Sequence, residues 1–176
     1  MQREMPLSDT QVGRAGEQLF AAIASLTSDG ELEFYRPETD DDHRDLEVGR
    51  KGHMGAAYVQ VKSRTQVGAD GYLRVHVEFP GGVPIDHPGF IYAILLLTRT
   101  EIATTWLVPS PAFNRLAERS TTKAGTLQLN FYARPEAVDN WSAHRFTAEQ
   151  LGPALLALLA AVPDAQLPVQ RRPARA

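Results

Sequence analysis

Apolar and polar positions alternate in short one-sided runs along this chain, and one of these runs raises a chemical question. Residues 58–62 read Tyr-Val-Gln-Val-Lys. In a strand Val59 and Val61 point to one face, and Tyr58, Gln60 and Lys62 point to the other. Asp45-Leu-Glu-Val48 alternates in the same way, and Gly49–Gly55, with three glycines, suits a hairpin loop between the two. A register that sets Asp45 near Lys62 and Glu47 near Gln60 keeps Leu46, Val48, Val59 and Val61 on one buried face. The polar residues then share the opposite face. Opposite-charge pairs on a solvated sheet surface account for that face as readily as a functional site does.

The remaining pattern places the hairpin among helices and further strands. Ser8-Asp-Thr-Gln11 has the form of a capping box and opens a helix to about Thr27, with an apolar stripe of Val12, Ala15, Leu19, Ala22, Ile23 and Leu26. Glu17 falls beside the stripe near Phe20, and Gly13 and Gly16 leave bare backbone for close approach. Strands are predicted over 32–36, 73–79, where Leu73, Val75, Val77 and Phe79 alternate with polar residues, and 90–98, where an unbroken apolar run implies cover on both faces. Another strand over 102–108 pairs beside it. Ser110-Pro111 starts a short helix to about Arg119, 126–132 forms a late strand, and the Thr147-Ala-Glu-Gln150 capping box starts a helix to about Val162. Pro153 falls inside that last pattern and could delay or kink its first turn. The order of elements predicts an α/β (α+β) fold.

Length and charge narrow the picture. The 176 residues suit one domain over 1–163, followed by a disordered Pro/Arg-rich tail over 164–176. The absence of cysteine removes disulfides, thiolate catalysis and cysteine-ligated zinc, and cytoplasm is the default location. The longest apolar runs, 90–97 and 154–162, are too short to cross a bilayer, and the first residues lack the apolar core of a signal peptide. The net charge of −3 is unevenly spread: 9 Lys and Arg face 14 Asp and Glu through Glu78, against 9 and 7 from Phe79 onward. The acid therefore gathers around the hairpin, as at Asp40–Asp42, where it serves either a solvated surface or a cation. The five histidines show no zinc-ligand spacing, although His43 is near enough to Asp45 to touch a substrate.

Gly16-Glu17 on the first helix, Asp-x-x-x-Asp at 41–45 entering a strand, and Val-Gln-Val-Lys-Ser at 59–63 together resemble the PD-(D/E)XK nuclease superfamily. The chain is most similar to its small prokaryotic branch with a Gln-x-Lys motif, which includes Mrr-like enzymes and a related domain family of unknown function. The resemblance implies a restriction-endonuclease-like core, a central mixed sheet flanked by helices, with a metal site where the hairpin meets the first helix. It assigns Asp45 as the central metal-binding aspartate, Gln60 to the place of the second acid, Lys62 as the catalytic lysine and Glu17 as the helix glutamate. The backbone carbonyl of Val61 becomes a further metal ligand. No proline precedes Asp45, and the neutral Gln60 removes one negative charge from the site.

The chemistry implied is hydrolysis of DNA phosphodiesters with Mg²⁺ or Mn²⁺, in defence against foreign DNA. Mg²⁺ takes one or two carboxylates together with water and phosphate oxygens, and a lysine can stabilise charge at the phosphorus. Arg44, Arg50, Lys51 and Arg64 surround the motif as candidate phosphate contacts, or serve only solubility. A homodimer and a catalytically weak or inactive module that binds nucleic acid or a protein partner fit the same residues. So does an unrelated α+β domain with a charged hairpin.

Overall fold

A computed structural model describes residues 7–38 and 44–162. The expected tail, Asp40–Asp42 and His43 lie outside the described residues. The first helix, α1 (Asp9–Thr27), is opened by the predicted capping box, in which the Gln11 side chain accepts the Ser8 N–H at 2.9 Å. Its buried stripe is Val12, Gly16, Phe20 and Ala24, so the face is rotated from the one expected: Ala22 is exposed, and Leu26 is 77% exposed. Gly16 sets this rotation. A Cβ at Gly16 would lie 1.8 Å from Oγ of Ser63, so the helix touches the sheet at its smallest residue and swings Phe20 into the core. Gly13 makes no comparable approach.

The main sheet contains β1 (Leu32–Tyr35), β2 (Leu46–Arg50), β3 (Ala56–Arg64), β5 (Phe90–Leu97), β6 (Ile102–Pro109) and β9 (Arg145–Phe146), in the order β1-β2-β3-β5-β6-β9. The sheet is mixed, because β3 and β5 are parallel while the other neighbours are antiparallel. β5 is covered on both faces, as its unbroken apolar run requires. A second sheet, ordered β4-β8-β7, holds β4 (Leu73–Phe79), β8 (Leu127–Ala133) and β7 (Glu118–Thr121).

These layers bury two cores. On one face of the main sheet, Val12, Phe20 and Ala24 of α1 and Leu151 and Leu155 of α3 (Leu151–Ala160) pack on Leu46, Val48, Val59 and Val61. On the other, the apolar side of the small sheet and Phe113 of α2 (Ser110–Leu116) cover Tyr92, Ile94 and Trp106. Helices thus flank the main sheet, but a three-stranded sheet covers much of the face that the sequence reading gives to helix. α2 ends at Leu116, three residues short of the expected end, and the chain turns into β7. The last capping box closes a 3-10 turn at Ala148–Gln150 instead of the α-helix, which begins at Leu151 with Pro153 in its first turn. α1 and α3 meet where the Gly152 N–H donates to Oγ1 of Thr27 at 2.9 Å.

Candidate active site

The hairpin forms, but its register is displaced by two residues from the expected one. Leu46 faces Val59, and Glu47 faces Tyr58 where Gln60 was expected, so continuation of the register sets Asp45 opposite Gln60 and not Lys62. The displacement preserves the parity of the strands, which is why the apolar set is unaffected. Burial fixes that parity; the choice between cross-strand partners rests on smaller terms. β2 also continues through Arg50, which shortens the expected glycine loop.

At Asp45 the ladder between β2 and β3 ends in a specific contact. The Asp45 N–H donates to the Val59 carbonyl at 3.0 Å, and the Asp45 carboxylate turns back to accept the Val61 N–H at 2.6 Å. A side-chain oxygen thus occupies the place of the next ladder carbonyl. The N–H and C=O of one strand residue project from the same edge, so the Val61 carbonyl leaves β3 on the side of the Asp45 carboxylate. Neighbouring even-numbered residues turn toward β5, as shown by the bond from Tyr58 N–H to the Gly89 carbonyl.

Gln60 and Lys62 point away from α1. Val59 and Val61 pack with that helix, while Gln60 and Lys62 stand beside Tyr92 and Ile94 of β5, whose side chains enter the second core. Gln60 is only 3% exposed, so the amide is sunk on the side of the second core, whereas Lys62 is half-buried. Burial raises the hydroxyl pKa of the adjacent Tyr92 above its ordinary value. A neutral amide suits Gln60's place better than a carboxylate would, because ionising a group there carries a desolvation cost.

Glu17 approaches from the opposite face, next to the Gly16–Ser63 contact and therefore near the same end of β3. Its carboxylate pairs with Arg36 at 3.1 Å. Arg36 follows β1 and was not singled out by sequence; nineteen residues and no shared pattern separate it from Glu17. Glu17 thus stands on the α1 face of β3, Gln60 and Lys62 on the other face, and Asp45 at the strand edge, so the four do not share the one face expected of them.

The four candidate phosphate contacts separate. Arg44 lies over the Tyr58 ring, with its guanidinium carbon 4.7 Å from the ring centroid, beside Asp45. Arg64 shares the Gln60–Lys62 face, and its Nη1 donates to the Ser63 carbonyl at 3.1 Å. Arg50 instead binds Glu31 at 2.7 Å, and both it and Lys51 lie at the far end of the hairpin. Arg50 is five residues along β2 from Asp45, or about 17 Å at the usual strand rise. The sequence neighbourhood of Arg50 and Lys51 therefore does not become a spatial one at Asp45.

Among the described residues, no group of three or more His, Cys, Asp or Glu side chains is gathered to hold a metal. The oxygen donors nevertheless suit a small hard cation of low protein coordination: one fixed carboxylate at Asp45 and the Val61 carbonyl along the same edge, with the remaining positions for water and phosphate. No described helix is long and apolar enough to cross a membrane. The chain matches no protein-family model, and no curated protein is significantly similar to it.

Proposed function

We propose that this chain is a Mg²⁺- or Mn²⁺-dependent hydrolase of DNA phosphodiester bonds. The observation that carries the reading is the Asp45 carboxylate held 2.6 Å from the Val61 N–H where β2 parts from β3, one residue before Lys62. That bond fixes the carboxylate on the edge shared with the Val61 carbonyl. When bound, the metal would polarise a phosphoryl oxygen and lower the pKa of a coordinated water. Asp45 and the Val61 carbonyl would hold it, Lys62 would place an ammonium against charge that develops on the phosphoryl group, and Arg44 would orient the strand through a phosphate. Action on foreign DNA in the cytoplasm is the setting we assign to this chemistry.

Two observations favour a second reading, a nuclease-fold module that binds nucleic acid or a protein partner with little or no cleavage. Gln60 supplies no charge from its buried position, and Glu17 is engaged by Arg36. Incubation of the purified protein with duplex and single-stranded DNA and with RNA, with Mg²⁺, Mn²⁺ or EDTA, separates the readings. The hydrolase reading requires metal-dependent cleavage of DNA that disappears in Lys62→Ala. Absence of cleavage under every condition, or cleavage equal in Lys62→Ala, overturns it.

A further inference from the structure

The outward face of the small sheet carries an arrangement that the hairpin site does not use. At one end of β4 and β8, two arginines and two tyrosines are stacked: Arg134 lies 4.4 Å from the Tyr72 ring centroid, and Arg74 lies 5.8 Å from Tyr72 and 5.9 Å from Tyr132. Arg74 and Tyr132 are direct cross-strand neighbours. Asp70 forms a bidentate ion pair with Arg74, which fixes that guanidinium among the rings. Arg74, Tyr132 and Arg134 are exposed.

A cavity of about 550 Å³ opens beside this array, lined by Val67, Gly71, Leu96 and residues 134–137. The depression is open to solvent and large enough to admit a base with its sugar. Its wall is held in place: Nη1 of Arg145 donates to the Pro135 carbonyl at 2.6 Å and the Ala137 carbonyl at 2.7 Å. The cavity is also joined to the candidate active site. Leu96 stands beside Arg64 in the parallel register of β3 and β5, and Arg64 is two residues beyond Lys62 on the same face. Lys62, Arg64, Leu96 and Arg134 therefore mark a path from the hairpin to the Tyr–Arg array.

We infer that this path is a binding surface for single-stranded nucleic acid, with bases against the Tyr72–Arg134 array and its adjoining cavity and phosphates toward the arginines. Rings and guanidinium planes accept any base by stacking, whereas an acidic peptide would use the arginines and leave the tyrosines and the apolar cavity without a role. Arg64, Arg74, Arg134 and Arg145 outnumber Asp70 and Glu136 along it, giving the polyanion an attractive field despite the chain's net negative charge. A wall already fixed by Arg145 lowers the ordering cost of binding.

The inference deepens the hydrolase reading, and its test is kept independent of cleavage by working in EDTA. Anisotropy of a fluorescein-labelled 20-nucleotide single strand, its duplex form and a polyglutamate peptide is measured with wild-type protein, Tyr72→Ala, Tyr72→Phe and Arg134→Gln. The expected result is binding of the single strand in preference to the other two probes. Tyr72→Ala should weaken it about tenfold, Tyr72→Phe should restore it, and Arg134→Gln should weaken it and flatten its salt dependence. Thermal midpoints exclude misfolding. No single-strand binding, equal affinity for duplex, preference for polyglutamate, or indifference to Tyr72→Ala overturns the inference. If single-strand binding follows this pattern while metal-dependent cleavage is absent, the surface stands and the hydrolase reading falls; metal-dependent cleavage without such binding gives the reverse.

Discussion

The Asp45 carboxylate accepts the Val61 N–H at 2.6 Å, which ties a proposed metal-binding side chain to the strand that carries Lys62. The bond gives Asp45 a structural task as well as a chemical one, and substitution can separate them. Asp45→Asn keeps an acceptor oxygen but loses the charge, and Asp45→Ala loses both. Metal-dependent cleavage should vanish in each. Asp45→Ala should lose roughly 1–2 kcal/mol of stability, while Asp45→Asn loses less. At this chain length the Asp45→Ala loss lowers the thermal midpoint by about 2–8 °C. Equal midpoints for the two variants would show that the bond contributes nothing in solution.

Burial makes Gln60→Glu an informative replacement. The new carboxylate would be desolvated, which raises its pKa and lowers the stability of the metal-free protein. A cation bound beside it should reverse that effect, so Mg²⁺ should raise the thermal midpoint of Gln60→Glu more than that of the wild type. It should also shift the Mg²⁺ dependence of cleavage to lower concentration, most clearly at low ionic strength. Identical Mg²⁺ responses would place residue 60 outside the metal's surroundings.

The Glu17–Arg36 pair offers a test of the helix glutamate. Arg36→Met removes a half-exposed ion pair and should change stability by less than about 1 kcal/mol. It takes the Arg36 guanidinium away from the Glu17 carboxylate, so if that carboxylate serves the metal the concentration needed for half-maximal cleavage should fall. An unchanged value would leave the pair as a link between α1 and β1 and nothing more.

Gly16→Ala tests the helix–sheet contact. Its Cβ would lie 1.8 Å from Oγ and 2.8 Å from Cβ of Ser63, so α1 must move outward, at a cost of about 1–3 kcal/mol. Ser63→Gly in the same chain should recover much of this loss in urea unfolding. Additive losses would mean that the strain lies elsewhere.

His144 predicts a pH dependence. Burial, and then the nearby Arg115, lower its pKa below the ordinary 6.5. The unfolded chain therefore takes up this proton first, so the stability contribution is complete above pH 6.5 and declines as pH falls toward the folded pKa. Urea midpoints followed from neutral pH to about pH 5 should fall less steeply in His144→Gln than in the wild type. Parallel slopes would refute the assignment.

The alternating segments were the most legible part of the fold. Leu73, Val75, Val77 and Phe79 are buried and alternate with the exposed Arg74, His76 and Glu78, as the period of two requires. The unbroken run of β5 is central and covered on both faces. β7 was not legible because Glu118-Arg-Ser-Thr121 is wholly exposed and becomes a strand only by pairing with β8. At the candidate site, parity could be read from the apolar residues, but the register could not, since a shift of two residues preserves every buried position. The depth of Gln60 depended on packing from segments distant in sequence, and Glu17's partner came from a segment with no local link to the helix.

The bond from Gly152 to Thr27 joins residues 125 positions apart. A Cβ at Gly152 would come within 2.4 Å of the Ser28 backbone nitrogen, so α3 can meet the end of α1 here only with a residue that has no side chain of its own. Contacts of such long span carry a high loop-closure cost and form late. On a ribosome, the helix bearing Glu17 emerges well before α3, and its packing is complete only once α3 has followed. A chain cut between the two helices would therefore leave α1 without the partner that closes its last turn.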